Sequence, residues 1–305
     1  MTKTLIDMHL HSVYSDGKLT PKQIVKKLAQ TKINFAVLAD HDTVSGVKEF
    51  ASEAKLSKIN TMPGVEISAE EQGIGIHILG YGIDISDKHL LSVFQKQQAE
   101  RRKAFDSYVS LFKKAGFIID QRKYLEFRKI KSVAKPHVFR LIWETPKNQK
   151  LCHTKYGVPK TDWLPQGEFI QAFMESPGQL AYVNKKSITA KNAIQSIHKA
   201  GGIAVWAHPG IEIEFKNKKV FNKVLKTLLS NGIDGIEAFS SSRKLTKARI
   251  KYLYQLTRRN KLIATVGSDD HDGTRIGTKL STLKVPQKYH TDGLAELRLM
   301  LGLKK

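Results

Sequence analysis

Residues 4–11 read Thr-Leu-Ile-Asp-Met-His-Leu-His, a short apolar run that ends in two histidines separated by one residue. Side chains alternate along a β-strand, so His9 and His11 are expected to point to the same side. Other short apolar runs, at residues 35–39, 203–207 and 262–268, are also followed directly by aspartate or histidine. Because helical stretches separate these runs, the pattern predicts an α/β fold with parallel strands linked by crossover helices.

Nine side chains at or near these runs are typical metal ligands. Imidazole and carboxylate groups bind divalent transition metals, and nine of them exceed the roughly four to six that one ion takes. In a (β/α) barrel the functional side chains lie at the C-terminal ends of the strands. The sequence therefore predicts a cluster of two or three metal ions there. The nine residues are His9, His11, Asp16, His41, Glu66, His77, His208, Asp269 and His271.

Some of these residues have a second interpretation. The turn sequence around Asp16 is also typical of a tight turn, the segment around His41 of a helix-capping turn, and His77 of a buried histidine inside an apolar segment. Asp7 and the two aspartates that flank His41 are expected to orient imidazoles. Glu237, at the end of another apolar run, is expected to support the site rather than to bind metal.

Positive charge is concentrated in one part of the chain. The 305 residues include 51 Lys or Arg and 28 Asp or Glu, a net charge of +23. Residues 95–160 hold 17 of the basic and 5 of the acidic residues, a net charge of +12. Such a segment is either a solvated helical surface or one that attracts polyanions, because clustered Lys and Arg neutralise phosphates.

Helical patterns interrupt the strand-rich sequence between residues 88 and 185. A long helix is predicted from about residue 87 to 114, a second from Pro136 to about Trp143, and residues 146–167 have a loop-like composition. We predict three segments: 1–87 and 186–305 form the two parts of a barrel, and 88–185 form a basic, mostly helical insertion. Residues 1–12 lack a signal-peptide pattern, and Cys152 is the single cysteine. A cytoplasmic protein without a membrane segment is expected.

These motifs resemble the polymerase and histidinol phosphatase (PHP) family of metal-dependent phosphoesterases. They are most similar to the branch that includes nucleoside 3′,5′-bisphosphate phosphatases and 5′-to-3′ exoribonucleases acting on short RNA and ribosomal RNA 5′ ends. The resemblance implies a distorted seven-stranded (β/α) barrel with three divalent ions. Manganese is the first expectation, with iron, zinc and magnesium as alternatives.

By motif, the resemblance implies a ligand set for each ion. His9, His11, Glu66 and Asp269 would hold the first ion; Glu66, His77 and His208 the second; Asp16, His41 and His271 the third. Bound cations would lower the pKa of a coordinated water, and the hydroxide would attack phosphorus. No catalytic residue separate from the metal ligands is expected.

The insertion has its own resemblance to the substrate-phosphate residues of this branch, at Arg101, Arg102, Lys135 and His137. Pro136 opens a helix whose N-terminal N–H groups favour an anion, and arginine can bind phosphate through two parallel hydrogen bonds. Arg101 and Arg102 are alternatively part of a solvated helix face. Many members of the branch carry arginine at the position of Lys135.

The expected function is hydrolysis of nucleotide phosphate esters, with short RNA or a nucleotide as substrate and no obligate protein partner. Two alternatives remain. One is a small-molecule hydrolase, either a phosphatase such as one for histidinol phosphate or a metal amidohydrolase, against which Glu66 argues. The other is a basic RNA-binding protein with structural metals, although structural sites are usually closed and mononuclear.

Overall fold

The computed structural model describes residues 5–158, 166–209, 217–240, 246–276 and 287–302, the last segment without the side chains of 287–291. The chain divides into two compact units. Unit 1 comprises Met1–Gln95 and Ser187–Lys305, and unit 2 comprises Lys96–Lys186. The α/β class predicted from the sequence is confirmed, because strands and helices alternate along most of unit 1.

Unit 1 contains a two-stranded and a six-stranded sheet. The first pairs β1 with β2 in parallel, and the second has the order β5-β3-β4-β6-β7-β8. Two isolated parallel bridges connect the two sheets, one between Leu10 and Asp270 and one between His41 and Glu66. The strands are β1 (Leu5–Leu10), β2 (Ile33–Leu38), β3 (Gly64–Glu71), β4 (Ile74–Tyr81), β5 (Ile188–Thr189), β6 (Ile203–Trp206), β7 (Gly235–Ser240) and β8 (Ile263–Gly267).

One strand runs against the predicted direction. β4 pairs antiparallel with both β3 and β6, whereas the sequence pattern predicted parallel strands throughout. The reason is the two-residue connection between β3 and β4, which is far too short for a crossover and allows only a hairpin. Gln72 and Gly73 both have positive φ, at 56° and 73°, as a tight hairpin turn requires.

The helices of unit 1 pack their apolar faces on these sheets. Thr20 accepts a hydrogen bond from the backbone of Gln23 at 3.2 Å, and Pro21 occupies the first helical position, so both residues stabilise the start of α1. The helices are α1 (Pro21–Ala29), α2 (Val47–Leu56), α8 (Ala190–Lys199), α9 (Lys218–Ser230), α10 (Lys247–Arg259) and α11 (Gln287–Met300).

Unit 2 is helical in the part that the structure describes. The long helix begins in unit 1 at Lys88 and ends at Lys114, as predicted, and Gly116 follows with a φ of 94°. The helices are α3 (Lys88–Lys114), α4 (Gln121–Arg128), α5 (Lys135–Trp143), α6 (Pro146–Tyr156) and α7 (Gln166–Phe173). The aromatic residues Phe105, Tyr108, Phe139 and Trp143 are buried in its core, as expected from their helical spacing.

The prediction of a loop at residues 146–167 is wrong for most of the segment, because residues 146–156 form a helix. Pro146 lies at the start of α6, and Gly157 ends it in the left-handed conformation, with a φ of 66°. Proline at the first helical position and glycine just past the last are helix boundary signals as well as loop residues. Residues 159–165, in the remainder of that segment, lie outside the described residues. No helix in the described segments is both long and apolar enough to cross a membrane.

Candidate metal centre

All nine predicted ligands meet in unit 1, most of them at or beyond the C-terminal ends of strands, although Glu66 lies near the start of β3 and His77 in the middle of β4. His9 belongs to β1 and His11 follows it, and the two Nε2 atoms lie 3.0 Å apart. His41 follows β2, Glu66 lies in β3, and His208 follows β6. The bridges that join the two sheets involve this same region, since His41 pairs with Glu66. Sheet geometry therefore assembles residues that are up to 262 positions apart in the sequence.

Glu66 is the central carboxylate of the cluster. Its Oε2 lies 3.2 Å from Nε2 of His9 and 3.2 Å from Nε2 of His11. The same oxygen lies 3.0 Å from Nδ1 of His41. Its Oε1 lies 2.8 Å from Nε2 of His208 and 3.4 Å from Nδ1 of His77. One buried carboxylate thus faces imidazoles on two sides, the position from which it can bridge two cations.

His77 is the predicted ligand with the least regular local sequence. It lies in the antiparallel strand β4, with its side chain 29% exposed. Its ring centroid is 4.8 Å from that of His41 and 5.3 Å from that of His208. The alternative of a histidine enclosed in an apolar core does not fit these neighbours.

Two aspartates complete the cluster on its other side. Asp16 places carboxylate oxygens 3.6 Å from Nε2 of His41 and 3.4 Å from Nε2 of His271. Asp269 Oδ1 lies 3.3 Å from Nε2 of His11 and 3.7 Å from Nε2 of His9. Both carboxylates are therefore positioned between pairs of imidazoles.

The ligand atoms form three sets, and within each set all atoms lie within 4.8 Å of one another. They are His11, Asp16, His41 and His271; His9, Glu66 and His208; and His9, His11 and Asp269. Three differences from the sets implied by the sequence resemblance stand out. His11 also joins the set built on Asp16, and His9 rather than His77 joins His208 and Glu66. Glu66 is absent from the set that contains Asp269.

Burial and charge determine which groups are ionised. Burial alone would raise the pKa of Glu66, but His41 and His9 hold it well below its usual range. Burial would similarly lower the pKa of His9, but the charges of Glu66 and Glu237 raise it to about 10. The pKa of Asp269 is lowered against its burial by His271 and His11. At neutral pH the carboxylates are anionic, so the cluster offers charged oxygen donors beside imidazole nitrogens.

Such a cluster of buried imidazoles and carboxylates matches one family of proteins. The sequence profile of the PHP domain matches residues 7–264. The chain belongs to the PHP domain family. A 5′-3′ exoribonuclease from Haemophilus influenzae is 31% identical over 89% of this chain and 91% of its own length. A 3′,5′-nucleoside bisphosphate phosphatase from Chromobacterium violaceum is 27% identical, with 87% of both chains covered.

The fold is also found among solved structures. A candidate metal-dependent phosphoesterase from Bifidobacterium adolescentis superposes on this chain with a TM-score of 0.76. The two are 23% identical, and the match covers 97% of this chain and 96% of the other. This similarity shows that the two proteins share a fold.

The donor atoms of the PHP centre fit bound divalent cations. Oε2 of Glu66 is buried and lies near three imidazole nitrogens, yet it makes no hydrogen bond of acceptable geometry. The two Nε2 atoms of His9 and His11 face each other at 3.0 Å. A shared cation satisfies such facing acceptors once the imidazoles are neutral, which is the form that binds metal.

Residues around the ligands orient them. Oε1 of Glu237 lies 3.0 Å from Nδ1 of His9, and Oε2 accepts the backbone N–H of His208 at 2.9 Å. Glu237 thereby leaves Nε2 of His9 directed to the cluster, in agreement with its expected supporting role. Asp7 was expected to orient imidazoles, but it accepts the backbone N–H groups of Ser268 at 2.8 Å and His9 at 3.3 Å. It orders the backbone that carries the ligands.

Asp40 was expected to fix the tautomer of His41, but its carboxylate binds the loop that follows β1 instead. It accepts the N–H and the hydroxyl of Ser12 at 2.7 and 2.6 Å, and the hydroxyl of Ser15 at 2.6 Å. These bonds shape the loop between His11 and Asp16. Sequence reasoning did not identify the two serines, because loop hydroxyls carry no periodic signal.

The backbone is strained where the ligands emerge. His208, Asp269 and Asp42 have positive φ values of 26°, 51° and 49°. Non-glycine residues rarely adopt this conformation, and such residues concentrate at functional sites, where the surrounding structure holds them. Gly267 just before this region admits no side chain, because a Cβ there would collide with Cβ of His9 and Oε1 of Glu237.

The four predicted phosphate residues lie in unit 2 with varied surroundings. Arg101 is buried, with 7% of its surface exposed, so it does not belong to a solvated helix face. Arg102 is partly exposed. Lys135 pairs with Glu175 at 3.0 Å. Nδ1 of His137 accepts the backbone N–H of Ala134 at 3.0 Å, so Nε2 carries the proton of the neutral ring.

Proposed function

We propose that this protein is a metal-dependent phosphoesterase that hydrolyses nucleotide phosphate esters. Its expected substrates are short RNA digested from the 5′ end and 3′,5′-bisphosphate nucleotides. The observation that carries the proposal is Glu66, a buried carboxylate whose two oxygens lie 2.8–3.4 Å from imidazoles of five histidines. The substrate class is supported by relatives named as an exoribonuclease and a nucleoside bisphosphate phosphatase.

The nine residues are proposed to hold three divalent ions, with manganese as the first expectation. The three sets of converging ligand atoms support this number, and the mixed imidazole and carboxylate donors suit manganese, iron or zinc. Glu66 would bridge two of the ions. His9 and His11 each belong to two of the sets and His77 to none, so the proposal assigns His9 and His11 to the first ion and His77 to the second, as the sequence resemblance implies.

Bound cations would supply an activated water for attack on phosphorus and would neutralise charge on the phosphate oxygens. The chain's own residues prepare the site for this chemistry. The lowered pKa values of Glu66, Asp16 and Asp269 keep the three carboxylates ionised at neutral pH. Glu237 holds the ring of His9 in place through Nδ1. No protein nucleophile is assigned, because each nucleophilic or basic side chain in the cluster is proposed as a ligand.

We also propose that the strands of unit 1 form a distorted seven-stranded barrel in the order β1-β2-β3-β4-β6-β7-β8. The parallel bridges Leu10–Asp270 and His41–Glu66 support it, because they connect β1 to the end of β8 and β2 to β3. The hydrogen bonds from His11 N–H to Asp270 O at 3.0 Å and from Asp42 N–H to Glu66 O at 2.8 Å extend these junctions.

Unit 2 is proposed to recognise the substrate through Arg101, Arg102, Lys135 and His137, within the basic insertion 88–185. Arg101 and Arg102 are neighbours on the long helix α3, and a guanidinium can hold a phosphate through two parallel hydrogen bonds. Lys135 and His137 lie in the first turn of α5, where the helix dipole favours an anion. A cytoplasmic location belongs to the same proposal.

The proposal is tested by substituting one ligand and one neighbouring acid that is not a ligand. Asp269→Asn removes a carboxylate from the cluster, whereas Asp272→Asn removes a partly exposed one that accepts from Thr274 at 2.6 Å. We expect Asp269→Asn to abolish metal-supplemented hydrolysis and lower the bound metal, and Asp272→Asn to retain both.

The substrate panel consists of a 5′-phosphorylated oligoribonucleotide, a 3′,5′-bisphosphate nucleotide and histidinol phosphate. Preference for the first two supports the proposed substrate class, and preference for histidinol phosphate would replace it with a small-molecule phosphatase. Hydrolysis that Asp269→Asn leaves unchanged, with the metal content also unchanged, would remove the proposed centre.

A further inference from the structure

Two adjacent outer helices of unit 1 carry positive charge without any acidic residue. α9 contains four lysines and α10 contains five Lys or Arg, and neither helix has an Asp or Glu. The ring centroids of Phe221 in α9 and Tyr252 in α10 lie 6.3 Å apart, so the two helices are neighbours. We call five of their exposed lysines the basic face: Lys219, Lys223, Lys226, Lys247 and Lys251.

The lysines of α9 form a single stripe. Lys219, Lys223 and Lys226 follow one another at spacings of four and three residues, which places them on one side of the helix. The opposite side, with Phe221 and Val224 among its residues, is buried in the core. Lys247 and Lys251 repeat the four-residue spacing on α10. Exposed lysines thus recur at helical spacing on each of two neighbouring helices.

This arrangement opposes the stability of the two helices. Like charges four residues apart repel, and lysines in the first turn of a helix oppose its dipole. Neither α9 nor α10 has an acidic residue in its first turn. Among the ion pairs of the described residues, none joins a lysine of the basic face to an acid. An anionic partner would remove this repulsion.

The basic face begins at the end of the sheet that carries the metal centre. β6 pairs in parallel with β7, and β7 pairs in parallel with β8. A helix that connects two parallel strands starts near the C-terminal end of the first strand and runs back to the start of the second. α9 thus starts at the strand end that His208 follows, so Lys219 lies toward the centre and Lys226 farther along the outer surface.

A membrane surface does not suit the basic face. The apolar residues of α10, such as Ile250 and Leu253, are buried in the core, and Tyr252, 39% exposed, is the large apolar residue that α10 exposes. Binding in a membrane interface needs an apolar face that can insert between lipids. Lysine is a flexible point charge suited to phosphate contacts that do not depend on base sequence.

We propose that the basic face binds the ribose-phosphate backbone of an RNA substrate, beyond the nucleotides whose phosphates reach the metal centre. The inference rests on the proposed function, because it assigns this surface to the same substrate. The contacts are electrostatic and read no sequence. They give longer RNA an affinity that a mononucleotide or a very short RNA cannot gain.

The test compares two variants that lose the same charge. In the first, Lys219, Lys223, Lys226 and Lys251 are replaced together by Gln. The matched control replaces four exposed lysines of α1 and α2, where Glu49 and Glu53 are interspersed. The control positions are Lys22, Lys26, Lys48 and Lys55. All substitutions lie on solvent-exposed helix positions, and circular dichroism checks that both variants fold.

RNA binding is measured by fluorescence anisotropy with the full-length protein in the Asp269→Asn background, so that the RNA is not hydrolysed during the measurement. The probes are 5′-phosphorylated RNAs of about 20 and about 4 nucleotides, each at several salt concentrations. We expect the basic-face variant to bind the longer RNA about 10-fold or more weakly, and its salt slope to fall by about 2 to 3, since each phosphate contact contributes roughly 0.7 on a single strand. The shorter RNA should bind equally in all proteins.

The proposal is overturned if the control variant loses as much affinity as the basic-face variant, or if both RNA lengths are affected equally. It is also overturned if poly-glutamate of equal charge binds the basic face as tightly as RNA, because the partner would then be an acidic polypeptide. Binding is separate from turnover. RNA that binds the basic face but is not hydrolysed by the wild-type protein would refute the proposed function alone.

Discussion

The role of Glu237 provides the sharpest test of how the centre is built. Its carboxylate contacts Nδ1 of His9 at 3.0 Å and the backbone N–H of His208 at 2.9 Å, and its exposed surface is 1%. Glu237→Gln keeps the shape of the side chain but removes its charge. We expect metal affinity to fall, because the ring of His9 loses the anion that orients it and makes Nε2 a better donor.

The expected magnitude follows from the two contacts. Loss of a carboxylate that hydrogen-bonds a ligating histidine typically lowers metal affinity by about 10- to 100-fold, or roughly 1.4 to 2.7 kcal/mol. If the amide oxygen accepts the N–H of His208, the amide NH₂ faces Nδ1 of His9 and favours the tautomer with its proton on Nε2, so the change should lie toward the upper end of that range. The pKa of His9 in the metal-free protein should also fall below about 10, because Glu237 is one of the two carboxylates that raise it.

Asp234→Asn is the matched control. Asp234 also combines an imidazole contact, to Nε2 of His198 at 2.7 Å, with a backbone contact, to the N–H of Ala204 at 2.8 Å. It lies just before the strand that holds Glu237, but it contacts none of the nine proposed ligands in the described hydrogen bonds and ion pairs.

The assay is a competition titration of manganese and zinc against a chromophoric chelator, combined with elemental analysis. Activity is measured in parallel over a range of metal concentrations. We expect excess metal to restore the activity of Glu237→Gln. We expect Asp234→Asn to bind metal with the affinity of the wild type. Unaltered affinity in Glu237→Gln, or an equal loss in both variants, would refute the role assigned to Glu237.

Three further predictions concern space, protonation and metal removal. Gly267→Ala should lower the metal content and the thermal stability, since the added Cβ would collide with His9. Gly75→Ala, where an added Cβ meets no atom within 4 Å, should change neither property. Elemental analysis measures the metal content, and calorimetry measures the thermal stability. In chelator-treated protein the raised pKa of His9, about 10 instead of 6.5, means that its protonated ring stabilises the fold fully below about pH 6.5. This stabilisation is lost as the pH rises toward about 10, so a Tm that does not fall over this range would contradict the prediction. Metal affinity should change in the opposite direction and increase with pH, because the imidazole must lose its proton to bind metal. Chelation at neutral pH should lower the Tm by several degrees, since ligand binding stabilises the folded state, and a Tm equal to that of the metal-loaded protein would argue against bound ions.

Much of the metal centre was visible in the sequence because its chemistry is local to each strand end. A strand that ends in His9-Leu10-His11 directs both imidazoles to one side whatever surrounds it. The long helix at 88–114 was equally visible, since its apolar spacing repeats within the helix itself. Alternation, helical spacing and residue type therefore indicated the fold class and the identity of the clustered residues.

Other features depend on contacts between distant segments. The sequence around Asp40 contains an acid next to a histidine, but the loop returns Ser12 and Ser15 to within hydrogen-bonding distance of that acid and changes its role. The same limit applies to the assignment of His11 to a second ligand set, which depends on where Asp16 and His271 lie. Hydrogen-bond partners are chosen by three-dimensional distance, which periodicity does not encode.

The sequence by itself determined which side chains can bind metal, because residue type sets donor chemistry and alternation sets the side of the strand. Only the tertiary structure decided which donors lie close enough to share an ion and which acids contact the backbone instead. It also decided that the lysine-bearing helices α9 and α10 are neighbours, since the parallel pairing of β6, β7 and β8 sets them side by side. Donor type is a property of each residue, whereas convergence is a property of the packed sheet.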